Sequence, residues 1–276
     1  MNILALDDLI RRSLMEDIGF GDVTTEAIFS ENHTSQGFLI AKQNLVLAGI
    51  QVFSRVFALL DEQVEIRSYY ADGALISEGE KFASFTGNTR ALLTGERVAL
   101  NLLQRMSGIA TNTRLYTEAV KNFSTIIVDT RKTTPGLRML EKYAVTVGGG
   151  MNHRYRLDSM VLIKDNHIQA AGGILAAVER VRSQGTAFRK IEVEVENLQQ
   201  VQEALAAGVD IIMLDNMDIY MIGQAIKMIA GKVLVEVSGN VGLEKVAALA
   251  AAGVDIISSG GLTHSVKAAD ISMRLS

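Results

Sequence analysis

The chain has 276 residues, of which 48 % are hydrophobic and 21 % charged, the balance of an ordinary soluble globular protein. It contains no cysteine, which excludes a disulfide framework, a zinc–thiolate site, an iron–sulfur cluster and a cysteine nucleophile. The net charge of −4 points to neither nucleic acid nor a membrane surface as a partner. The opening MNILALDDLIRRS has early acids and no apolar core, so it reads as neither a signal nor a transit peptide. No uncharged apolar run approaches the ~18 residues that span a bilayer, and a cytoplasmic protein is expected.

Residues 1–107 read as a first domain of short alternating runs and turns. GFLIAKQNLVLAGI (37–50) and ADGALISEGEKFASFTG (71–87) alternate as strands do and are broken by glycines. The second run is similar to the hairpins of biotinyl and lipoyl carrier domains. Its only lysine, Lys81, stands in no carrier motif, so a structural use is expected. GERVALNLLQRMSG (95–108) then spaces Arg97, Asn101 and Arg105 four apart, on one face of a helix. The plain reading is a solvated stripe.

Residues 108–276 read as a second domain that repeats a strand-then-helix unit. STIIVDTRK, SMVLIKDNH, KIEVEVEN, DIIMLDN, KVLVEVSG and DIISSGG are short apolar runs ending in polar clusters. Asp129, Lys164, Glu194, Asp215, Glu236 and Ser259 mark those ends, at spacings of 35, 30, 21, 21 and 23 residues, which suit βα units in a parallel sheet. LQQVQEALAAGVDII (198–212) aligns without a gap to LEKVAALAAAGVDII (243–257), with nine of fifteen positions identical. Such an echo is expected of a β/α barrel. No GxGxxG is present to favour an open dinucleotide-binding sheet. Side chains alternate along a strand, so Lys164, Glu194, Asp215 and Glu236 would face inward near the C-terminal mouth, where barrel active sites sit.

Charge is concentrated locally. Residues 90–164 hold twelve Lys/Arg against five Asp/Glu, +7 within a chain whose remainder is −11. This suggests a locally held anion. In DTRKTTPG (129–136), Thr134 as cap and Pro135 as first helical residue would set Arg131 and Lys132 before a helix N-terminus, where free N–H groups favour an anion; a solvated basic turn is the alternative. GGGMNHR (148–154) offers a left-handed helix end followed by His153 and Arg154. SSGGLTHS (258–265) and VSGN (237–240) are glycine turns on late strands, able to cradle a phosphate. No metal cage and no nucleophile–base pair is visible. A site that positions two anionic reactants and stabilises developing charge fits group transfer from a phosphorylated sugar.

These segments, with EDIGFGDVTT (16–25) and LIKDNHI, occur in the order found in quinolinate phosphoribosyltransferases, and the chain resembles that family from about residue 16 to 266. The resemblance implies an α/β protein with an N-terminal α/β sandwich and an incomplete β/α barrel of fewer than eight strands. It implies a homodimer or larger homo-oligomer whose sites are shared between subunits. The implied substrates are quinolinate and phosphoribosyl pyrophosphate, with Mg²⁺, giving nicotinate mononucleotide, pyrophosphate and carbon dioxide. By motif, Arg131, His153, Arg154 and Lys164 would bind quinolinate's carboxylates, aided by Arg97 from the other subunit. Lys132 and Lys164 would face the pyrophosphate, Glu194 and Asp215 the ribose hydroxyls and the metal, and these four would carry catalysis. Ser238, Gly239, Gly260 and His264 would bind the 5′-phosphate. Arg156 departs from the family pattern, where an uncharged residue is expected. The DTRK and IKDNH segments separate the chain from a molybdenum-linked paralogue. The rivals are a phosphoribosyltransferase for nicotinate, a barrel enzyme that uses only the GGLTHS rim to bind a flavin or sugar phosphate, and a non-catalytic carrier or metabolite-binding protein.

Overall fold

A computed structural model describes residues 1–185 and 188–276. In chain order it contains α1 (Ile3–Ile18), α2 (Val23–Ile28), β1 (Thr34–Ala41), β2 (Leu45–Val46), α3 (Ile50–Leu60), β3 (Glu65–Ser68), β4 (Leu75–Ile76), β5 (Lys81–Asn88) and α4 (Thr89–Ala119). There follow β6 (Ile126–Val128), α5 (Arg138–Val147), β7 (Val161–Ile163), α6 (Asp165–Ala171), α7 (Ile174–Ser183), β8 (Ile191–Val195), α8 (Leu198–Ala206) and β9 (Ile211–Asp215). The last elements are α9 (Ile219–Ile229), β10 (Leu234–Ser238), α10 (Leu243–Ala251), β11 (Ile256–Ser258), a 3₁₀ turn (Gly260–Leu262) and β12 (Ile271–Leu275). No described helix is long and apolar enough to cross a membrane.

Two compact units result. The first comprises Met1–Arg114, Thr134–Gly149 and Ser265–Ser276, the second Leu115–Thr133 and Gly150–His264. The first unit holds a sheet ordered β12-β1-β5-β3, with β1 antiparallel to both β12 and β5. The chain's last strand therefore belongs to this antiparallel sheet, and α5 lies in the same unit. Sequence periodicity hid this, because nothing in ISMRL names its partner. Gly37 makes the pairing possible: a Cβ there would fall 2.0 Å from the Arg274 carbonyl oxygen and 2.5 Å from the Phe85 ring. Phe53 and Phe57 on α3 are wholly buried, and Arg55 grips Asp7 of α1 through two 2.7 Å hydrogen bonds. Arg105 is no solvated stripe residue: it donates to the fully buried Glu141 carboxylate at 3.1 and 2.8 Å.

The second unit is a six-stranded parallel sheet ordered β6-β11-β10-β9-β8-β7, curled like a barrel and open between β6 and β7. On the free side of β6, Val128 makes one parallel bridge to Met151. Helices α6 to α10 follow the strands as the sequence period demands. The internal echo has a physical meaning. Asp210 and Asp255, its equivalent aspartates, each accept an N–H at the beginning of a neighbouring strand, from Ile191, the first residue of β8, at 2.7 Å and from Val235, the second residue of β10, at 2.8 Å. Each of the two repeats thus pins the start of the strand beside it.

Two local expectations are corrected. The helix after DTRKTTPG starts at Arg138, with Leu137 and not Thr134 at its cap. Gly136 at φ +85° interrupts the backbone, and Thr134 N–H is taken by the Glu141 carboxylate at 3.1 Å instead. Arg131 and Lys132 therefore do not sit at that helix's N-terminus. The SSGGLTHS glycines, expected to precede a helix, form a 3₁₀ turn themselves at Gly260–Leu262, and β12 follows with no α-helix between. Removing Asp210 or Asp255 with alanine should each destabilise by about 0.5–1.5 kcal/mol, one hydrogen bond apiece. The double variant should lose close to the sum, read from urea unfolding midpoints.

Candidate active site at the barrel mouth

The strands' C-terminal ends enclose a cavity of about 440 Å³. Its lining follows the alternation of side chains. β7 contributes Leu162 and, just beyond its end, Lys164; β8 gives Glu194, β9 gives Met213 and Asp215, β10 gives Glu236 and Ser238, and β11 gives Ser258. Thr130, Arg131 and Lys132 enter from the loop after β6, and His153 and Arg154 from the segment after Met151. Gly239, Asn240 and Asn216 complete the rim. The expected inward parity is thus observed on four consecutive strands.

The floor is acidic and almost dry. Glu192 on β8 is 0 % exposed and Glu236 is 1 % exposed. Both reach His153 Nε2, at 3.2 and 3.4 Å. Arg154 N–H approaches His153 Nδ1 at 2.8 Å, and the Nε2 edge of the ring faces both carboxylates. The buried Asp129 carboxylate accepts His153 N–H at 2.9 Å, which anchors the loop. Both carboxylate oxygens of Glu192 and Oε1 of Glu236 lack a well-aligned hydrogen-bond partner among the described residues, a costly condition for two full charges. Burial, reinforced by the Glu236 charge and opposed by the His153 hydrogen bond, raises Glu192 to about 7. Burial alone would lower His153, but the hydrogen bonds and charges of Glu192 and Glu236 outweigh it and raise the ring to about 9. Both shifts mean that the trio retains protons.

Above that floor lie the cations. Burial, and then the like charge of Arg131, hold Arg154 below the usual arginine value, so an anion between these two side chains would relieve both. Lys164 Nζ pairs with Glu194 Oε2 at 2.5 Å. His167 Nδ1 accepts Lys164 N–H at 3.0 Å and closes the start of α6. Thr263 Oγ1 donates to the Lys132 carbonyl at 2.9 Å, tying the 3₁₀ turn to Lys132. A Cβ on Gly260 would meet Lys132 Cδ at 2.8 Å and His264 Cδ2 at 2.9 Å.

Nine of the twelve sequence-predicted residues therefore line one cavity: Arg131, Lys132, His153, Arg154, Lys164, Glu194, Asp215, Ser238 and Gly239. Gly260 and His264 adjoin the Lys132 side chain without lining the cavity. Arg97 lies exposed on α4, in the first unit. The sequence marks Glu236 as an inward-facing strand end at the mouth, but it lies one layer deeper, buried within β10 below Ser238; Glu192 was given no role, although EVEVEN places it on the same face as Glu194. Sequence reasoning also passed over Asn216 and Asn240. Arg156 is exposed, its guanidinium 5.5 Å from the Tyr155 ring. Lys81 packs its ammonium 3.7 Å over the Phe38 ring, unlike a carrier lysine held out for modification.

The donor sets distinguish two kinds of cation site. His153, Glu192 and Glu236 bring ligand atoms within 4.8 Å of one another, yet they are buried at hydrogen-bonding separations, whereas Mg²⁺ keeps several waters. Glu194 and Asp215 present hard oxygens at the open mouth, the setting in which Mg²⁺ binds through one or two carboxylates and substrate phosphates. The residues at the mouth fit that ion.

An open β/α barrel whose mouth sets cations over buried acids defines an enzyme class that binds small polyanions. Comparison with known proteins narrows this. The profile for the C-terminal domain of quinolinate phosphoribosyl transferase matches residues 109–274, and that for the N-terminal domain matches residues 22–107. The chain belongs to the quinolinate phosphoribosyltransferase family. It is 46 % identical over 273 residues to the probable nicotinate-nucleotide pyrophosphorylase (carboxylating) of Bacillus subtilis (strain 168), covering 99 % of this chain and 94 % of that one. It is 42 % identical over 289 residues to the chloroplastic nicotinate-nucleotide pyrophosphorylase (carboxylating) of Arabidopsis thaliana, covering 98 % and 82 %. The crystal structure of NadC from Streptococcus pyogenes superposes with a TM-score of 0.96 at 44 % identity, covering 100 % and 98 %.

The proton-rich floor has a consequence for stability. The folded chain binds more protons than the unfolded one wherever Glu192, raised from 4.5 to about 7, and His153, raised from 6.5 to about 9, are titrating. Their contribution is fully present below the unfolded values and is lost as pH rises through the folded ones. In urea unfolding followed across pH 5–9, Glu192→Gln should flatten the lower part of that decline and His153→Gln the upper part. Slopes identical to wild type would contradict the proton sharing.

Proposed function

We propose that the chain is a cytoplasmic nicotinate-nucleotide pyrophosphorylase (carboxylating), which joins quinolinate to the ribosyl group of phosphoribosyl pyrophosphate and releases pyrophosphate and carbon dioxide. The observation that carries this reading is the convergence of Arg131, His153, Arg154 and Lys164 on one cavity whose rim holds Glu194 and Asp215. Arg131 and Arg154 offer planar forks suited to carboxylates. Ser238 and Gly239 form the turn that takes the 5′-phosphate, with Gly260 and His264 beside Lys132.

Chemistry starts at ribose C1′. The pyridine nitrogen supplies the electron pair of the new C1′–N bond, so no general base is needed. The C1′–O bond breaks and its electrons leave with pyrophosphate, whose charge Lys132 and Lys164 meet. Glu194 and Asp215 hold the ribose hydroxyls and would hold Mg²⁺, which when bound neutralises pyrophosphate charge. The pyridinium so formed accepts the electrons released when the adjacent carboxylate departs as carbon dioxide, and the ring carbon then takes up a proton. The site's main contributions are orientation and fixed charge.

Wild-type protein supplied with quinolinate, phosphoribosyl pyrophosphate and Mg²⁺ should release pyrophosphate and carbon dioxide in equal amounts; pyrophosphate without carbon dioxide would contradict the reading. Arg154→Ala should lower kcat/KM about 10–150-fold, the loss of one charge-assisted pair, and Arg154→Lys should restore only part.

We further propose a two-fold dimer in which Arg97 completes the neighbouring subunit's site. Inactive Arg97→Ala and Lys164→Ala chains, unfolded and refolded together, should then regain about one quarter of wild-type sites. No recovery after verified subunit exchange would place Arg97 outside the shared site.

A further inference from the structure

Two asparagines on adjacent turns of the cavity rim adopt left-handed backbone angles, Asn216 at φ 53° and Asn240 at φ 48°. Asn216 follows β9 and Asn240 follows β10, and both line the cavity. Their side chains form a directed chain. Asn216 Nδ2 donates to Asp215 Oδ2 at 2.7 Å. Asn240 Nδ2 donates to Asn216 Oδ1 at 3.3 Å. The orientation is fixed by chemistry: an ionised carboxylate only accepts, so the Asn216 amide nitrogen faces it and its oxygen turns to Asn240. Asn216 N–H also donates to the Ser238 carbonyl at 3.2 Å. Gly239 allows the two turns to close: at φ +88°, a Cβ would fall 2.4 Å from Asn216 Oδ1 and 2.8 Å from Asn216 N.

We infer that Asn216 is a positioning residue, which holds the Asp215 carboxylate toward the ribosyl donor and couples it to the Ser238–Asn240 turn. The inference rests on the functional reading above, in which Asp215 meets the ribose hydroxyls and that turn meets the 5′-phosphate. One oxygen of Asp215 is occupied by the Asn216 amide, which leaves the other presented to ligand. The donor's ribose and phosphate ends are thus read by one hydrogen-bonded unit, apart from the quinolinate cations.

Backbone conformation and side-chain role can be separated, because Gly, Asn and Asp all tolerate the left-handed region. Asn216→Gly keeps the turn and deletes the amide. Phosphoribosyl pyrophosphate binding, measured by calorimetry without quinolinate, should weaken about 10–150-fold for the loss of a hydrogen bond to a charged group. Quinolinate binding and the melting temperature should stay near wild type. Asn216→Asp should bind the donor more weakly still, since it places a second negative charge against Asp215. Asn240→Gly should weaken donor binding by about 2–10-fold, one neutral hydrogen bond, and should add nothing in the Asn216→Gly background. Equal weakening of both ligands, an Asn216→Asp that binds the donor as wild type does, or multiplicative effects in the double variant would overturn the inference. Wild type that turns over quinolinate while Asn216→Gly binds the donor normally would remove this inference alone; wild type that turns over no quinolinate would remove the functional reading.

Discussion

At the floor of the barrel mouth, two carboxylates face one imidazole edge. Glu192 and Glu236 are removed from water, and the group that meets both is His153, at 3.2 and 3.4 Å. A polar cluster this deep is stable only when its charge is neutralised by proton or partner. That condition governs the site. His153 is oriented by the acids at Nε2 and by Arg154 N–H at Nδ1. Burial, and then the like charge of Arg131, hold Arg154 below the usual arginine value. The acids also offset part of the positive field, so the ligand-free mouth is not left with uncompensated cations.

The remaining wall follows from strand geometry. A parallel strand offers the barrel interior only every second residue, and the chain uses that rule to set a polar residue at the mouth above a buried one. Glu192 lies below Glu194 on β8, Met213 below Asp215 on β9, and Glu236 below Ser238 on β10. The lower layer is buried and the upper layer lines the open mouth. Lys164 Nζ reaches across from the end of β7 to the Glu194 carboxylate at 2.5 Å. The groups proposed for the base's carboxylate and for the ribosyl donor are therefore in contact before either ligand arrives.

Much of this was legible in the sequence. The strand ends at Lys164, Glu194 and Asp215 stood out because period and polarity agree there, and the AGVD echo marked equivalent units whose aspartates do equivalent work. Glu192 was written in the same EVEVEN segment, but alternation alone does not tell a buried acid from a mouth-facing one. The pairing of β12 with β1 was hidden, because a partner more than 200 residues away leaves no local signal. The helix start at Arg138 was misplaced, since Pro135 suits a turn as well as a first helical residue, and the left-handed Gly136 with the reach of Glu141 to Thr134 decided between them. Asn216 escaped notice because its role depends on a neighbouring turn.

The central claim is that this balanced arrangement of cations over buried acids reads two adjacent carboxylates on a pyridine ring. Calorimetric titration of the wild-type protein with quinolinate, and separately with nicotinate, tests it directly. The two ligands share the ring and differ by one carboxylate, so quinolinate should bind about 10–150-fold more tightly, as the loss of a charge-assisted contact requires. Equal affinities, or a preference for nicotinate, would contradict the account.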